Sequence, residues 1–259
     1  LKLYVKGQVM SSVLLDIRDN IAIITLNKPN KRNMLTSEVC SLLVEYVTQA
    51  EQDPNVKALI VTGTGTAFCA GGQLGDINPD KEMLEKIYSG FLCVAQCKLP
   101  TIAAVNGAAV GAGFNLAVGC DVRIVTEKSR FEPRFFGLGL HPGGGNTWML
   151  RQLLNWDTAA GMLLFSQSIS GEEAVKKGLA WKCVHEDELL EQAMSFTKNI
   201  QHLPKDLLLR TKKTLRAAGG TNVHDEILDL ETENQLWSVN QPFAKEAIAT
   251  MIKKISSRP

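Results

Sequence analysis

The sequence predicts an α/β fold in which one large domain is followed by a region of helices alone. Short apolar runs rich in β-branched residues alternate with segments whose apolar residues recur at helical spacing. Beyond residue 185 only helical patterns remain. With 259 residues, of which 45% are hydrophobic, the chain can bury a sizeable core.

Six apolar runs are predicted to be strands, because each is short and rich in β-branched residues. They cover residues 13–18, 21–26, 58–62, 101–105, 122–125 and 179–184. Asp19 and Asn20, between the first two runs, are a pair that favours a tight turn. We therefore expect the first two strands to form a hairpin.

Helices are predicted wherever apolar residues recur at spacings of three and four. They cover residues 37–50, 81–95, 111–118, 147–154, 158–165, 171–177, 186–200, 204–217, 223–239 and 243–255. Thr36 is a good N-cap for the first helix, and Pro242 breaks the pattern between the last two. We assign residues 10–200 to the core, with residues 1–9 set aside as a leader. Residues 201–259 form a helical region suited to oligomerisation.

Two glycine-rich turns follow strands, at residues 68–72 and 106–113. Backbone N–H groups of such turns point at whatever lies above them, so each turn is a place to hold an anion. Two such turns suggest one shared oxygen, although both can also be read as ordinary tight turns. Residues 129–145, with two prolines and five glycines, are predicted to be a loop that lines the pocket.

Composition excludes several classes of protein. A net charge of +1 and 6% aromatic residues give no support for a nucleic-acid-binding face. The six cysteines are scattered in apolar contexts, which predicts free thiols in a reducing compartment. Cys93 and Cys97 share a helix face, but no second Cys or His cluster completes a metal site. No apolar run approaches the roughly 20 residues of a membrane span, so we expect a cytoplasmic protein that binds neither membrane nor metal.

Five motifs spread over nearly the whole chain are, taken together, highly specific. They read NKPNKRNML, TGTGTAFCAGGQL, PTIAAVNGAAVGAGFNLAVGCDVRI, GLGLHPGGG and GEEAVKKGLAWKCV. In these motifs the chain resembles the crotonase superfamily, also called the enoyl-CoA hydratase/isomerase family. The resemblance implies a crotonase-like spiral of ββα units, a helical C-terminal trimerisation region, and a homotrimer or dimer of trimers. It also implies acyl-CoA thioester substrates, with coenzyme A as part of the substrate and no separate cofactor.

The resemblance also implies roles for individual residues. The two backbone N–H groups of the family's oxyanion hole fall on Gly72 and Ala112, where they would stabilise an enolate-like oxygen. The acyl group and pantetheine arm are expected beside Ala70, Gln73, Leu74, Gly75 and Phe135. Lys28, Lys31 and Lys254 are candidates for the phosphates of coenzyme A, although exposed lysines are usually only solvated surface.

The chain departs from the family's hydratases at both of their catalytic glutamates, which fall on Asn115 and Phe135. Neither side chain can carry a proton, so efficient hydration is not expected. Glu132 is a substitute base if it turns inward, or else a surface partner of Arg134. His141 can relay a proton or bond to its own loop. Asn115 can orient a water or a substrate carboxylate, or cap neighbouring backbone.

The sequence therefore favours an acyl-CoA enzyme that acts through an enolate, nominally hydratase/isomerase-like, with atypical proton-transfer residues. Acyl-CoA decarboxylation or hydrolysis is the alternative enzymatic interpretation. Decarboxylation needs the oxyanion hole but no strong base, because loss of carbon dioxide supplies the electrons. A catalytically weak acyl-CoA-binding protein is a third interpretation, since binding and catalysis use the same glycine turns.

Overall fold

Two sheets organise the chain in the computed structural model, which describes residues 11–73, 81–218, 228–229, 232–233, 235–237 and 239–256. The large sheet contains β1 (Val13–Arg18), β2 (Ile21–Leu26), β3 (Ala58–Gly63), β5 (Thr101–Val105), β7 (Val122–Thr126) and β10 (Lys182–Val184), in that spatial order. The small sheet contains β4 (Ala67–Cys69), β6 (Ala108–Val110), β8 (Arg130–Glu132) and β9 (Ile169–Ser170). All neighbouring strands are parallel except for the pairs β1–β2 and β8–β9.

From β3 to β8, consecutive strands alternate between the two sheets. β3 leads to β4, β5 to β6 and β7 to β8, through the short links 64–66, 106–107 and 127–129. The corner at Gly107 is tight, because a Cβ there would lie 2.2 Å from the carbonyl oxygen of Thr66. Each turn of the chain thus adds one strand to each sheet, and a helix follows the first two of these pairs. This order confirms the predicted α/β spiral of ββα units.

The helices begin and end close to their predicted bounds. They are α1 (Ser37–Gln52), α2 (Lys81–Ala95), α3 (Ala112–Val118), α4 (Asn146–Leu153), α5 (Trp156–Leu164), α6 (Gly171–Lys176), α7 (Leu189–Phe196), α8 (Lys205–Ala218) and α9 (Pro242–Ser256). The Thr36 side chain accepts a hydrogen bond from the Val39 N–H, as expected of an N-cap. Asp19 and Asn20 have φ values of 50° and 64°, as a hairpin turn between antiparallel strands requires.

Five predicted segments differ from the structure. Strands β4 and β6 replace parts of the two predicted turns, and β8 with a 3-10 turn at Phe136–Leu138 occupies part of the predicted loop 129–145. Three-residue strands are too short to show an alternating pattern, which is why the sequence does not reveal them. The predicted strand 179–184 is shortened to β10. The predicted helix 186–200 is a 3-10 turn, Glu186–Glu188, followed by α7. Much of the predicted helix 223–239 lies outside the described residues.

Helices cover the large sheet on both faces. The main core joins one face of the sheet to buried side chains of α1, α2 and α3, including Leu43, Phe91 and Phe114. A second apolar cluster joins the other face to Leu189 and Ala193 of α7. Burial on both faces explains why the central parallel strands read as continuous apolar runs. None of the helices in the described residues is long and apolar enough to cross a lipid bilayer.

Helix α8 is fixed to the core by three cationic side chains that reach backbone carbonyls. Lys205 Nζ donates to the carbonyls of Glu51 and Asp53, at 2.7 and 2.6 Å, at the end of α1. The ammonium of Lys212 donates to the Leu99 carbonyl at 2.6 Å and pairs with Asp121 at 2.5 Å. Arg216 donates to the carbonyl of Ala95, the last residue of α2. Positive charge at helix C-termini is favourable, so these contacts join the first helix of region 201–259 to the core.

Candidate active site

The segment that contains Gly72 is held by the loop predicted to carry coenzyme A contacts. Leu35 N–H donates to the Gly71 carbonyl at 2.8 Å, and Gln73 N–H donates to the Leu35 carbonyl at 3.1 Å. Ala70 N–H donates to the Arg32 carbonyl at 2.9 Å. Leu35 and Gly72 thus form a parallel β-bridge. In such a bridge the N–H of Gly72 points away from Leu35, toward the other side of the segment.

On that other side lies the start of α3. The parallel strands β4 and β6 place Cys69 opposite Ala109. A Cβ on Gly71, whose φ is +96°, would lie 2.7 Å from the Val110 carbonyl oxygen and 3.7 Å from the Ala112 nitrogen. The two predicted donor turns are therefore in contact, and only glycine at position 71 permits the approach.

The second predicted donor, the N–H of Ala112, belongs to the first residue of α3. N–H groups in the first turn of a helix have no partner within the helix. Gly111, with φ 51° and ψ −117°, makes the sharp turn from β6 into α3 and donates its own N–H to the Glu132 carbonyl at 2.9 Å. The chain therefore leaves β6 through a fixed turn that determines where the Ala112 N–H points.

An apolar wall from α2 borders this position. A Cβ on Gly72 would lie 3.9 Å from Ile87 Cγ2. Leu84, Tyr88 and Phe91 are buried on the same helix. The wall is suited to contact an apolar acyl group and to exclude water from the two N–H groups.

Asn115 is 2% exposed and is bonded on both sides of its carboxamide. Its Nδ2 donates to the Gly143 carbonyl at 2.8 Å, and its Oδ1 accepts from Asn146 Nδ2 at 2.6 Å. In this geometry Asn115 hydrogen-bonds to neighbouring backbone, at Gly143, rather than orienting a water or a substrate carboxylate.

Glu132 lies at the end of β8, paired in register with Val110 of β6. Its carboxylate forms ion pairs with Arg130 at 2.9 Å and with Arg134, one on each oxygen. The carboxylate is therefore paired with Arg134, as expected if Glu132 is a surface ion-pair partner, and also with Arg130.

His141 and Phe135 lie in the same loop but have different surroundings. The half-buried His141 ring has Nδ1 2.7 Å from the Pro142 carbonyl oxygen. Because a carbonyl only accepts, we assign the proton to Nδ1. Phe135 is buried in a cluster with Leu138, Leu140, Val239 and Ala244. This cluster joins the loop to the C-terminal helical region.

The remaining predicted binding residues lie in three places: the loop 27–35, the segment around Gly71 and Gly72, and helix α9. Lys28 is half-buried and Lys31 is exposed, and both belong to the loop that holds the Gly72 segment. Ala70 and Gln73 flank Gly71 and Gly72 and are half-buried. Lys254 is exposed near the end of α9. The predicted contacts Leu74 and Gly75 lie outside the described residues.

Thiols near the site are unsuited to nucleophilic chemistry. Cys69 is fully buried, and burial raises the pKa of its thiol to about 12. Burial likewise raises the pKa of Cys40 to about 11. Both therefore remain neutral near pH 7. Within the described part of the chain, no group of three or more His, Cys, Asp or Glu side chains could hold a metal ion.

Sequence reasoning missed two polar residues around the site. Arg123 is buried, and its guanidinium donates to the carbonyls of Cys120 at 2.6 Å and Leu179 at 2.5 Å, which fixes the C-terminal end of α3. Asn146 holds Asn115 from α4. A charged residue inside an apolar strand is the signal for the first. An asparagine directly after three glycines is a weaker signal for the second.

Comparison with known proteins agrees with this architecture. The model of the family described as enoyl-CoA hydratase/isomerase matches residues 16–254. The chain is 41% identical over 240 residues to the probable enoyl-CoA hydratase EchA14 of Mycobacterium tuberculosis (strain ATCC 25618 / H37Rv), covering 89% of this chain and 93% of that protein. It is 32% identical over 256 residues to the 1,2-epoxyphenylacetyl-CoA isomerase of Escherichia coli (strain K12), covering 95% and 97%.

A solved structure extends the comparison to three dimensions. The crystal structure of carnitinyl-CoA hydratase from Mycobacterium avium superposes with a TM-score of 0.86 at 25% identity, covering 95% of this chain and 97% of that one. The similarity therefore extends over nearly the whole of both chains.

Proposed function

This chain belongs to the enoyl-CoA hydratase/isomerase family of enzymes, and from that premise we propose that it binds acyl-CoA thioesters and stabilises an enolate-like oxygen between the N–H groups of Gly72 and Ala112. The contact between the Gly71–Gly72 segment and the start of α3 carries this proposal. When the α-carbon of a thioester becomes electron-rich, negative charge develops on the carbonyl oxygen. Fixed N–H groups stabilise that charge without reorganising, and each is worth about 10² to 10³ in rate.

Proton transfer in this site does not follow the two-glutamate scheme of the family's hydratases. Asn115 carries no titratable proton and is held by Gly143 and Asn146. Phe135 is apolar. Because a general acid or base contributes about 10² to 10⁴ in rate, hydration of an enoyl thioester is expected to be slow. Glu132 and His141 are the candidates for proton transfer that the predicted pocket loop retains. Both already have partners, Glu132 in two arginines and His141 in the Pro142 carbonyl.

The Asn115 carboxamide is hydrogen-bonded at both its nitrogen and its oxygen and cannot act as a base. This favours decarboxylation, which needs no base on α3, as a second candidate function. Loss of carbon dioxide from a 2-carboxyacyl thioester leaves the electron pair of the broken C–C bond on the α-carbon, as an enolate. The enolate then takes a proton from solvent or from a nearby acid. Such a reaction needs the two N–H groups but no base on α3.

Coenzyme A is expected to lie along the loop that contains Lys28 and Lys31, with the pantetheine arm passing Ala70, Gln73, Leu74 and Gly75. Lys254 is a further candidate for its phosphates. We also infer a cytoplasmic homotrimer or dimer of trimers. Light scattering at working concentration tests the assembly, and a monomer would contradict it.

A 3-ketoacyl thioester tests the oxyanion hole without knowledge of the true substrate. Acetoacetyl-CoA enolises readily, and its enolate is detected by near-ultraviolet absorbance. We expect the wild-type protein to raise the enolate fraction on binding. Ala112→Pro removes the N–H at a helix position that tolerates proline and should abolish the enolate signal. Ala112→Gly keeps the N–H and should retain it.

Each outcome has a separate meaning. No enolate with wild-type protein would overturn the oxyanion proposal. Enolate formation followed by turnover of malonyl-CoA but not of crotonyl-CoA would favour the decarboxylase. Tight binding of acyl-CoA without turnover over a broad substrate panel would favour an acyl-CoA-binding protein.

A further inference from the structure

Asn146 is the first residue of α4 and directly follows three successive glycines. Its side chain is fully buried, at 0% exposure. Asn146 Nδ2 donates to Asn115 Oδ1, and Asn115 Nδ2 donates to the Gly143 carbonyl. Two hydrogen bonds in series therefore run from Asn146 of α4, through Asn115 of α3, to the turn at residues 143–145.

The orientation of both carboxamides follows from their partners. The Gly143 carbonyl only accepts, so Asn115 must present its nitrogen to that oxygen. Asn115 Oδ1 then faces Asn146, which must present its own nitrogen. Asn146 Oδ1 is left over, and nothing in the described residues donates to it.

Stability alone does not account for this pair. A buried acceptor without a donor is destabilising, whereas apolar residues of similar shape can replace a buried polar pair at little or no loss. What the pair does provide is a fixed dipole on α3, one helical turn after Ala112. Its direction is set by the Gly143 carbonyl.

We propose that Asn146 is a positioning residue that locks the Asn115 carboxamide onto Gly143, so that α3 presents an oriented and uncharged side chain beside the enolate oxygen. The inference rests on the proposed function, since it concerns the same site. It implies that the enolate forms without a base on α3. Either the C–C bond to a carboxylate breaks as carbon dioxide leaves, or a base from the loop 129–145 removes the α-proton and the C–H bond supplies the electron pair.

Asn146→Asp tests the lock through its pH dependence. The protonated acid donates to Asn115 Oδ1 as the amide does. The carboxylate instead faces Oδ1 with a second acceptor and adds a charge near the enolate. The ratio of variant to wild-type affinity for acetoacetyl-CoA enolate should be near one at about pH 5 and at least about tenfold lower at about pH 9.

Among the described residues, Tyr88 from α2 and His141 of the turn itself face this turn, and the Tyr88 hydroxyl lies 2.5 Å from where a Gly143 Cβ would be. Both residues are the same in the variant and in the wild type, so the ratio isolates the effect of position 146. Asn155→Asp is the matched control, because Asn155 is an exposed N-cap of α5 where aspartate serves equally well. Its ratio should not change with pH.

Asn146→Leu separates positioning from stability. It should lower enolate affinity at every pH. The free energy of unfolding should change little, because the variant leaves Asn115 Oδ1 without its donor but also removes the unsatisfied Asn146 Oδ1. A pH-independent ratio for Asn146→Asp, or full enolate affinity in Asn146→Leu, would overturn the inference.

Amide exchange in the ligand-free protein keeps the two proposals apart. The side-chain amide protons of Asn115 should exchange slowly in the wild type and quickly in Asn146→Leu, as measured by NMR. Absence of enolate with slow exchange would refute the proposed function and leave the lock intact. Fast exchange in the wild type would refute the lock itself.

Discussion

Gly113 of α3 lies so close to Cys69 that a Cβ added to it would be 2.3 Å from the Cys69 carbonyl oxygen and 2.7 Å from the Cys69 Cβ. Real Cβ atoms do not approach a backbone oxygen this closely. The start of α3 and the end of β4 are therefore held at a separation that only glycine allows. The spacing of the two proposed N–H donors depends on that separation.

We predict that Gly113→Ala separates the two donor segments. Overpacking against backbone costs about 1 to 3 kcal/mol of unfolding free energy, and enolate binding should fall at least tenfold, since one donor turn must shift. Urea unfolding and acetoacetyl-CoA absorbance measure the two effects. Gly161→Ala is the control. Nothing lies within 4 Å of its Cβ position inside α5, so this change should stabilise by about 0.5 to 1 kcal/mol.

Crotonyl-CoA hydration tests the remaining acid–base candidates. We expect a slow wild-type rate that Glu132→Gln leaves nearly unchanged, because Arg130 and Arg134 already occupy the carboxylate. His141→Ala should behave in the same way, because the ring bonds to the Pro142 carbonyl. The rate is followed by loss of enoyl-thioester absorbance. A fall of about 10² in either variant is the size expected of a general acid or base and would assign the chemistry to that residue.

Lys212→Met is predicted to loosen α8 from the core. The ammonium is buried, and desolvation lowers the pKa of Lys212 while Asp121 opposes that shift. Removing it leaves the Leu99 carbonyl without its ammonium donor, at a cost of about 1 to 3 kcal/mol. The exposed Asp121 carboxylate keeps its hydrogen bonds from Thr101. Lys213→Met, one residue along on the exposed side of α8, should change the unfolding midpoint little. Equal midpoints for the two variants would show that the contacts of Lys212 do not hold the helix.

Thiol modification should be limited by unfolding for the buried cysteines. Burial raises the pKa of Cys69, Cys93, Cys97 and Cys120 to about 12. Because these acids have a higher pKa in the folded state than when unfolded, ionisation favours unfolding between about pH 9 and pH 12. Native protein at pH 8 should therefore react first at Cys183. Cys93 is half-buried like Cys183, but its pKa of about 12 keeps its thiol neutral at that pH. Rapid labelling of Cys69 at that pH would contradict this assignment.

The predictions from sequence succeeded where the determining contacts are local. Helix α1 follows from the Thr36 cap and from apolar residues at helical spacing, all within one segment. Strands β4 and β6 were missed because each has three residues, and Ala67 pairs with Ala108, 41 residues away. The pairing that defines them is not visible in a single window of sequence.

The site divides in the same way. The two glycine turns were recognisable because each combines a strand, small residues and a helix start in one motif. Asn146 and Arg123 act on partners 31 and 56 residues away. The role of Asn146 depends on the packing of residues 143–146 against α3, and the role of Arg123 depends on the packing of Leu179 against β7.

The anchoring of α8 also constrains how the chain reaches its folded state. Lys205 caps α1 through Glu51, which precedes it by 154 residues, and Lys212 meets Leu99 across 113 residues. Contacts of such long range form late, because the intervening chain must first be ordered. During synthesis, the carbonyls at the ends of α1 and α2 are left to water until the ribosome has released residues 205–216. We therefore expect the spiral to form first and α8 to dock on it afterwards.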